Sequence, residues 1–349
     1  MNTRLEKALN LEPSDRVPFL PAIYEHKAWF VGETPSKVCR DVNLFTTAVV
    51  AEYERVQPDA LTIGIDVYNV EAEAVGCRVT YYAGNDVSTP AIGPEGAVFQ
   101  GSDDVASLKM PDPRRDGRMP LNLEVARRVM KVLGREVAIR GAVSGPFSMA
   151  ASLVGPEHMF MLMMTHPALV KDLVAFSAEV IKWYGHAFIE AGCGVIMFDS
   201  QASPELLSPE MYRDFVLGPT KRIIRYFQQL GVQHVPLIIG GSTTKMLDAY
   251  LETGGNNILC DAKADVGRFL EECSRARRAF RRNLETADFL QVTAEELRRR
   301  ALKTLEESNG YPGFILGTGV VPYGTPLVNL IAVREAVQGF QAGGSSAKR

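Results

Sequence analysis

Cysteine is scarce in this chain: five residues among 349 (Cys39, Cys77, Cys193, Cys260, Cys273), an odd and scattered set with no CxxC pair. That excludes a disulfide framework and fits a reducing, cytoplasmic setting. Cys260 reads as a small buried apolar residue rather than a nucleophile. Charge of one sign is also missing, since 38 basic residues against 41 acidic ones leave a net charge of −3. No global attraction to nucleic acid or to a membrane surface follows. The one basic run, "RARRAFRRN" from Arg275 to Asn283, reads as a solvated helix flank. No apolar run approaches the roughly 18 residues that a membrane span requires. The opening "MNTRLEKALNLEPSDRVPF" has no apolar h-region of a signal peptide, so a soluble cytoplasmic protein is expected. There is no internal repeat, and no GxGxxG or GxxxxGK fingerprint; "GTGVVPYG" has the wrong spacing and no lysine.

Apolar residue, by contrast, is plentiful: hydrophobic residues make up 46% of the chain and charged residues 23%, enough for a large core. Short apolar runs alternate with helical periodicity. "RVPFLPAIY", "DALTIGID", "EVAIRGAVSGPF", "CGVIMFDS", "VPLIIGG", "NNILCD", "AFRRNL" and "GFILGTG" read as eight strands, each followed by a helical stretch. The longest such stretch runs without a break from residue 156 to 192. Near-continuously apolar strands, each followed by a helix, indicate parallel strands covered on the outside. The expected fold class is therefore α/β, a single (β/α)8 TIM barrel over residues 1–340. A small β excursion, "CRVTYYAGNDVSTPAIGPEG", follows strand two. Residues 341–349, polar and rich in Gly and Ser, read as a disordered tail.

In such a barrel the C-terminal strand ends face the site. Strand one ends in Tyr24, Glu25, His26 and Lys27; strand two in Asp66, Tyr68, Asn69, Glu71 and Glu73; strand three in Arg140, Ser144 and Ser148. Strand four ends in Asp199, Ser200 and Gln201, strand six in Cys260, Asp261 and Lys263. Strand seven gives Arg282 and Asn283, strand eight Thr318 and Tyr323. From these, His26, Asp66, Glu71 and Asp199 are taken as catalytic candidates. Two buried acids at one mouth raise each other's pKa, the property that a general acid or a metal site needs. Asp66 and Asp199 could equally be helix caps. Tyr68, Asn69 and Tyr323 are candidates to orient a substrate, and Arg140 to bind an acidic group. His158, His166, His186 and His234 lie in helical or flanking stretches and read as structural. Strand five offers only "GGST" (Gly240 to Thr243), with no reactive side chain.

"RVPFLP", "GIDVYNVEAEAVGC", "LLSPEMYRDFV", "ILCDAKADV" and "GFILGTGVVPYGTPLVNLIAVREAV" together resemble the uroporphyrinogen decarboxylase superfamily. That group joins tetrapyrrole decarboxylases and corrinoid-linked methyltransferases on one (β/α)8 barrel. The resemblance implies an arginine-rich loop after strand one in the decarboxylases; here it is "PAIYEHKAW". The decarboxylase aspartate is matched by Asp66, while its tyrosine falls near Ser152 and its histidine at Thr318. In the methyltransferase branch the resemblance implies a His-x-Cys and a second Cys holding zinc. Ile238, Gly240 and Val320 stand at those places, so the usual zinc site is not expected.

His26, Glu71 and Asp199 are left as alternative metal ligands, or the four candidates as a metal-free acid and base. What the resemblance implies is a methyltransferase that passes a methyl group from a small methylated donor, such as a methoxylated aromatic, to a corrinoid carried by a partner protein. The alternatives are a lyase acting on a tetrapyrrole or another carboxylated ring, and a barrel that binds a ligand without catalysis. No nucleic-acid or membrane partner is expected, and a homodimer is left open.

Overall fold

The computed structural model describes residues 3–99 and 105–340. Eight strands are present: β1 Phe19–Ala22, β2 Ala60–Ile63, β3 Ala138–Ser144, β4 Gly194–Phe198, β5 Leu237–Ile238, β6 Ile258–Cys260, β7 Phe280–Leu284 and β8 Phe314–Val320. All strand pairings are parallel, in two four-stranded sheets of order β2-β3-β4-β5 and β1-β8-β7-β6. Backbone contacts link the two sheets at both seams. Pro236 bridges Asn256 ahead of β5 and β6, and the Asp59 N–H donates to the Phe19 carbonyl at 2.9 Å between β1 and β2. Parallel pairing with helices between the strands is the α/β architecture expected from the alternating pattern. No described helix is long and apolar enough to cross a membrane.

The strands have little exposed surface because side chains of both faces are covered. At the N-terminal end, Leu20, Ala60, Ala279 and Ile315 form one apolar layer with Leu5, Ala8 and Leu9 of the Arg4–Leu9 helix. That helix starts in a capping box, Glu6 N–H to Thr3 Oγ1 and Thr3 N–H to Glu6 Oε2, which satisfies two end groups reciprocally. His234 joins Asn10 at 2.7 Å and Asn256 at 2.9 Å, and Asn256 donates to the Leu9 carbonyl. His234 thus fastens the N-terminal helix to the barrel.

One expectation is corrected. The stretch 156–192 is broken into Pro156–Thr165 and Pro167–Glu190. His166 at the break has φ −138° and ψ 59°, because a residue before proline is driven out of the helical region. The excursion after β2 pairs antiparallel at one bridge, Thr80 to Ala91. Residues 341–349, read as a disordered tail, lie outside the described residues.

Asp59 fastens the β1–β2 seam: it accepts from Arg4 Nη1 at 2.5 Å, Arg16 Nη1 at 2.7 Å and the Phe19 N–H at 2.7 Å. Removing a largely buried acceptor strands several donors at once. Asp59→Ala is expected to lower unfolding stability by about 3 kcal/mol in urea titration. Unchanged stability would show that apolar contacts alone hold the seam.

Candidate active site

The C-terminal strand ends surround a cavity of about 190 Å³. Its wall is aromatic on one side, where Tyr24 and Tyr68 both meet Phe198 edge-to-face, at ring separations of 5.3 and 6.2 Å. On the other side stand Asp261, Arg281, Asn283, Glu285 and Thr286. Larger clefts lie at the opposite end of the strands, against the Arg4–Leu9 helix, His234 and Asn10, the end whose residues serve stability.

Ile238, Gly240 and Val320 all line this cavity. The three positions at which the methyltransferase pattern carries zinc ligands therefore do meet in space, and none offers a lone pair. That donor set does not fit zinc, which takes four N, S or O ligands. Among the described residues no group of three or more His, Cys, Asp or Glu is placed to hold a metal ion. His26, Glu71 and Asp199 are thus not assembled as a ligand set. Thr318, the place of the decarboxylase histidine, accepts the Ala22 N–H on its Oγ1 at 2.9 Å and ties β8 to β1.

None of the four acid–base candidates lines the cavity; each is buried behind it. Asp66 is gripped by Arg118 through both oxygens, at 2.8 and 2.7 Å. Arg118 also bonds Glu73 at 2.6 Å, and Tyr81 donates to Glu73 at 2.5 Å. Glu71 accepts from the Ser144 N–H at 2.6 Å and from Ser144 Oγ at 3.0 Å. Burial pushes its carboxyl up to about 7, with the Asp66 charge adding to the rise and the Ser144 bonds opposing it.

Asp199 accepts from the N–H and Oγ of Ser148, both at 2.7 Å. It caps the Pro146–Val154 helix, although it follows a different strand. Gly145 precedes that helix, and a Cβ there would overlap the Asp199 carboxyl. Burial pushes Asp199 up to about 6, against the Ser148 bonds, and its Oδ2 has no partner. Glu71 thus holds the last residue of β3, and Asp199 the first turn of the helix that follows. His26 stands apart: it opens a short helix, meets Phe30 edge-to-face at 4.8 Å, and burial brings its pKa down to about 4.

Of the substrate candidates, Tyr68 lines the cavity and its hydroxyl bonds Ser200 Oγ. Asn69 instead donates to the Pro90 carbonyl at 2.5 Å and fastens the excursion. Tyr323 donates to the Glu33 carbonyl at 3.1 Å and meets Trp29 at 5.5 Å, outside the lining. Arg140 is buried, is absent from this lining, and belongs instead to that of the cleft at the opposite end of the strands. Sequence reasoning missed Arg281 and Glu285. The signal was period two in β7: if Asn283 points inward, so does Arg281, and Arg282 points out. Arg282 indeed turns away to Glu307 at 2.8 Å and to the Asp261 carbonyl at 2.7 Å.

The "GGST" loop after β5 is built to be held, not to react. The Gly241 N–H donates to Asp261 Oδ2 at 3.0 Å, and the Ser242 N–H to Glu205 Oε1 at 2.7 Å. Gly241 has φ +95°, and a Cβ there would overlap the Glu205 carboxylate, so only glycine fits.

A parallel α/β barrel with a small mixed aromatic and polar cavity at its strand C-termini is the class defined so far. The uroporphyrinogen decarboxylase (URO-D) family model matches residues 1–340, and the chain belongs to that family. It is 27% identical to the methylcobamide:CoM methyltransferase MtbA of Methanosarcina acetivorans, over 97% of each chain. It is 26% identical to the uroporphyrinogen decarboxylase of Solibacter usitatus, over 87% of this chain and 86% of that one. Among solved structures, a methyltransferase from Methanosarcina mazei superposes with a TM-score of 0.85 at 22% identity, covering 96% of this chain and 98% of that chain. At that identity the likeness establishes the fold.

A buried acid with a raised pKa binds more protons folded than unfolded near neutrality. Its stabilising contribution is full below its ordinary pKa near 4.5 and is lost as pH rises toward about 7. Glu71→Gln keeps the shape without that loss. The variant is expected to gain stability over the parent at pH 8 relative to pH 5, by on the order of 2 kcal/mol in denaturant titrations. An equal difference at both pH values would show Glu71 to be ionised throughout.

Proposed function

We propose that this protein is a corrinoid-dependent methyltransferase that takes a methyl group from a small methylated donor, a methoxylated aromatic being the favoured class. The observation that carries the reading is the cavity itself. Its volume of about 190 Å³ lies below the roughly 300–1,000 Å³ typical of drug-sized ligands, which suits a single ring and not a tetrapyrrole. Tyr24, Tyr68 and Phe198 offer aromatic faces and edges to such a ring. The likeness to MtbA along 97% of both chains supports methyl transfer. With Ile238, Gly240 and Val320 at its mouth, the site has no means of activating a thiol through zinc. Demethylation of an ether does not ask for one.

In this reading the corrinoid, carried by a separate protein, supplies the nucleophile that accepts the methyl group. This chain binds the donor and manages the proton. As the C–O bond breaks, the departing oxygen gains negative charge and needs a hydrogen-bond donor. The Tyr68 hydroxyl, paired with Ser200, stands in the cavity wall. Burial pushes its pKa up, which keeps the donor proton in place. Burial also raises Asp199 to about 6 and Glu71 to about 7, so both hold a proton more readily than an ordinary carboxylate. The decarboxylase alternative is weakened by Asp66, whose two oxygens are both taken by Arg118.

Purified protein is to be incubated with a methoxybenzene donor and cob(I)alamin, and methylcobalamin followed by absorbance. Methyl transfer is expected, with Tyr68→Phe slower by about 10²-fold, the lower range of general acid catalysis. An inert wild-type protein, or loss of carboxylates from uroporphyrinogen, would sink the reading.

A further inference from the structure

Between the strands stand two guanidinium groups that form no ion pair among the described residues. Arg140 on β3 is 7% exposed and Arg281 on β7 is 2% exposed. Among the described residues neither has an ion-pair partner, and Arg140 Nε and Nη1 and Arg281 Nε lack any hydrogen-bond partner. The nearest acid acting on Arg140 is Glu52, which Lys27 claims at 3.2 Å. Arg281 acts on Arg140 as a like charge, and together with burial this brings Arg140 down to about 10. Isolated buried charge is strongly unfavourable unless it is matched.

The Arg281 side chain has been given room. Gly317 of β8 has no Cβ, and one placed there would overlap the Arg281 stem. Gly194 pairs with Arg140 across β3 and β4, and a Cβ there would only touch the Arg140 stem, at 3.5 Å. Arg281 lies in the floor of the active-site cavity and beside the Tyr24 hydroxyl. Arg140 stands near the same hydroxyl from the other side of the lumen. Arg281 shares this lining with Asp261 and Glu285 but, among the described residues, pairs with neither; Asp261 accepts from Asn283 and the Gly241 N–H instead. A free guanidinium under an aromatic wall is a surface for a ring that carries an anionic substituent.

We propose that Arg281, with Tyr24 beside it and Arg140 behind it, is an anion subsite that takes an oxyanion of the substrate, so that the donor is an organic carboxylate or sulfonate. The guanidinium fork matches either group in bidentate fashion. Anchored on the floor, the rest of the molecule points along Tyr24, Tyr68 and Phe198 toward the mouth, where the methyl group is accepted. The substrate assignment rests on the methyl-transfer reading, but the binding site does not need turnover.

Binding of 4-methoxybenzoate, 4-methoxybenzenesulfonate and neutral 4-methoxytoluene to the intact protein is to be measured by isothermal titration. At least one anion is expected to bind tenfold or more tightly than the neutral ring, and the preferred anion identifies the substituent. Arg281→Met should remove that preference, Arg281→Lys should keep part of it, and Arg140→Met should weaken it. Replacing an unmatched buried charge by an apolar side chain should leave melting temperatures unchanged or raised. Equal binding of all three probes, no binding of either anion, or anion binding indifferent to both methionine variants would overturn the subsite. So would methionine variants that lose binding only by melting below the assay temperature while Arg281→Lys binds as wild type. Failure of methyl transfer with anion binding intact would count against the function alone.

Discussion

Carboxylates that accept backbone N–H groups, buried at Glu71 and Asp199, half-buried at Asp261 and exposed at Glu205, are the interaction on which the C-terminal face depends. Where a parallel strand ends, the following loop and helix leave N–H groups without partners. Glu71 takes the Ser144 N–H, Asp199 the Ser148 N–H, Asp261 the Gly241 N–H and Glu205 the Ser242 N–H. Each acid comes from a different segment than the amide it satisfies. The loops after β3 and β5 are thereby fixed to their neighbours, and a cavity with rigid walls results.

That arrangement also sorts the acids by role. Asp66, locked in the Arg118 fork with Glu73, is a structural anchor of the excursion side. Glu71 and Asp199 hold loops, yet burial keeps their proton affinity high. The cavity is left with hydroxyls, one amide, Asp261, Glu285 and Arg281. It is a chamber suited to binding and orienting a small molecule, with proton-rich groups one layer away. Val320, 40% exposed, stands in the place of a zinc cysteine.

Much of the fold was legible because parallel strands advertise themselves as short apolar runs between amphipathic helices. The strand ends followed from the same pattern, whereas the meeting of Ile238, Gly240 and Val320 was implied by the family resemblance. Which polar residue faces which way was harder. His26 follows β1 but turns into a helix and is buried against Phe30. Asn69 and Tyr323 spend their polar groups on the Pro90 and Glu33 carbonyls, contacts between segments 21 and 290 residues apart in sequence. Arg281 was hidden within a basic run that reads as a solvated flank, although two-residue alternation in β7 places it inside.

By itself the sequence determined the α/β class, the order of strands and helices and the family resemblance, because these depend on local periodicity and on the chemical identity of residues. Tertiary structure alone decided which acids are neutralised, which stay proton-rich and which cation is left unmatched. Those properties are set by burial and by partners far away along the chain, and Arg118 closing on Asp66 from 52 residues away is one such partner.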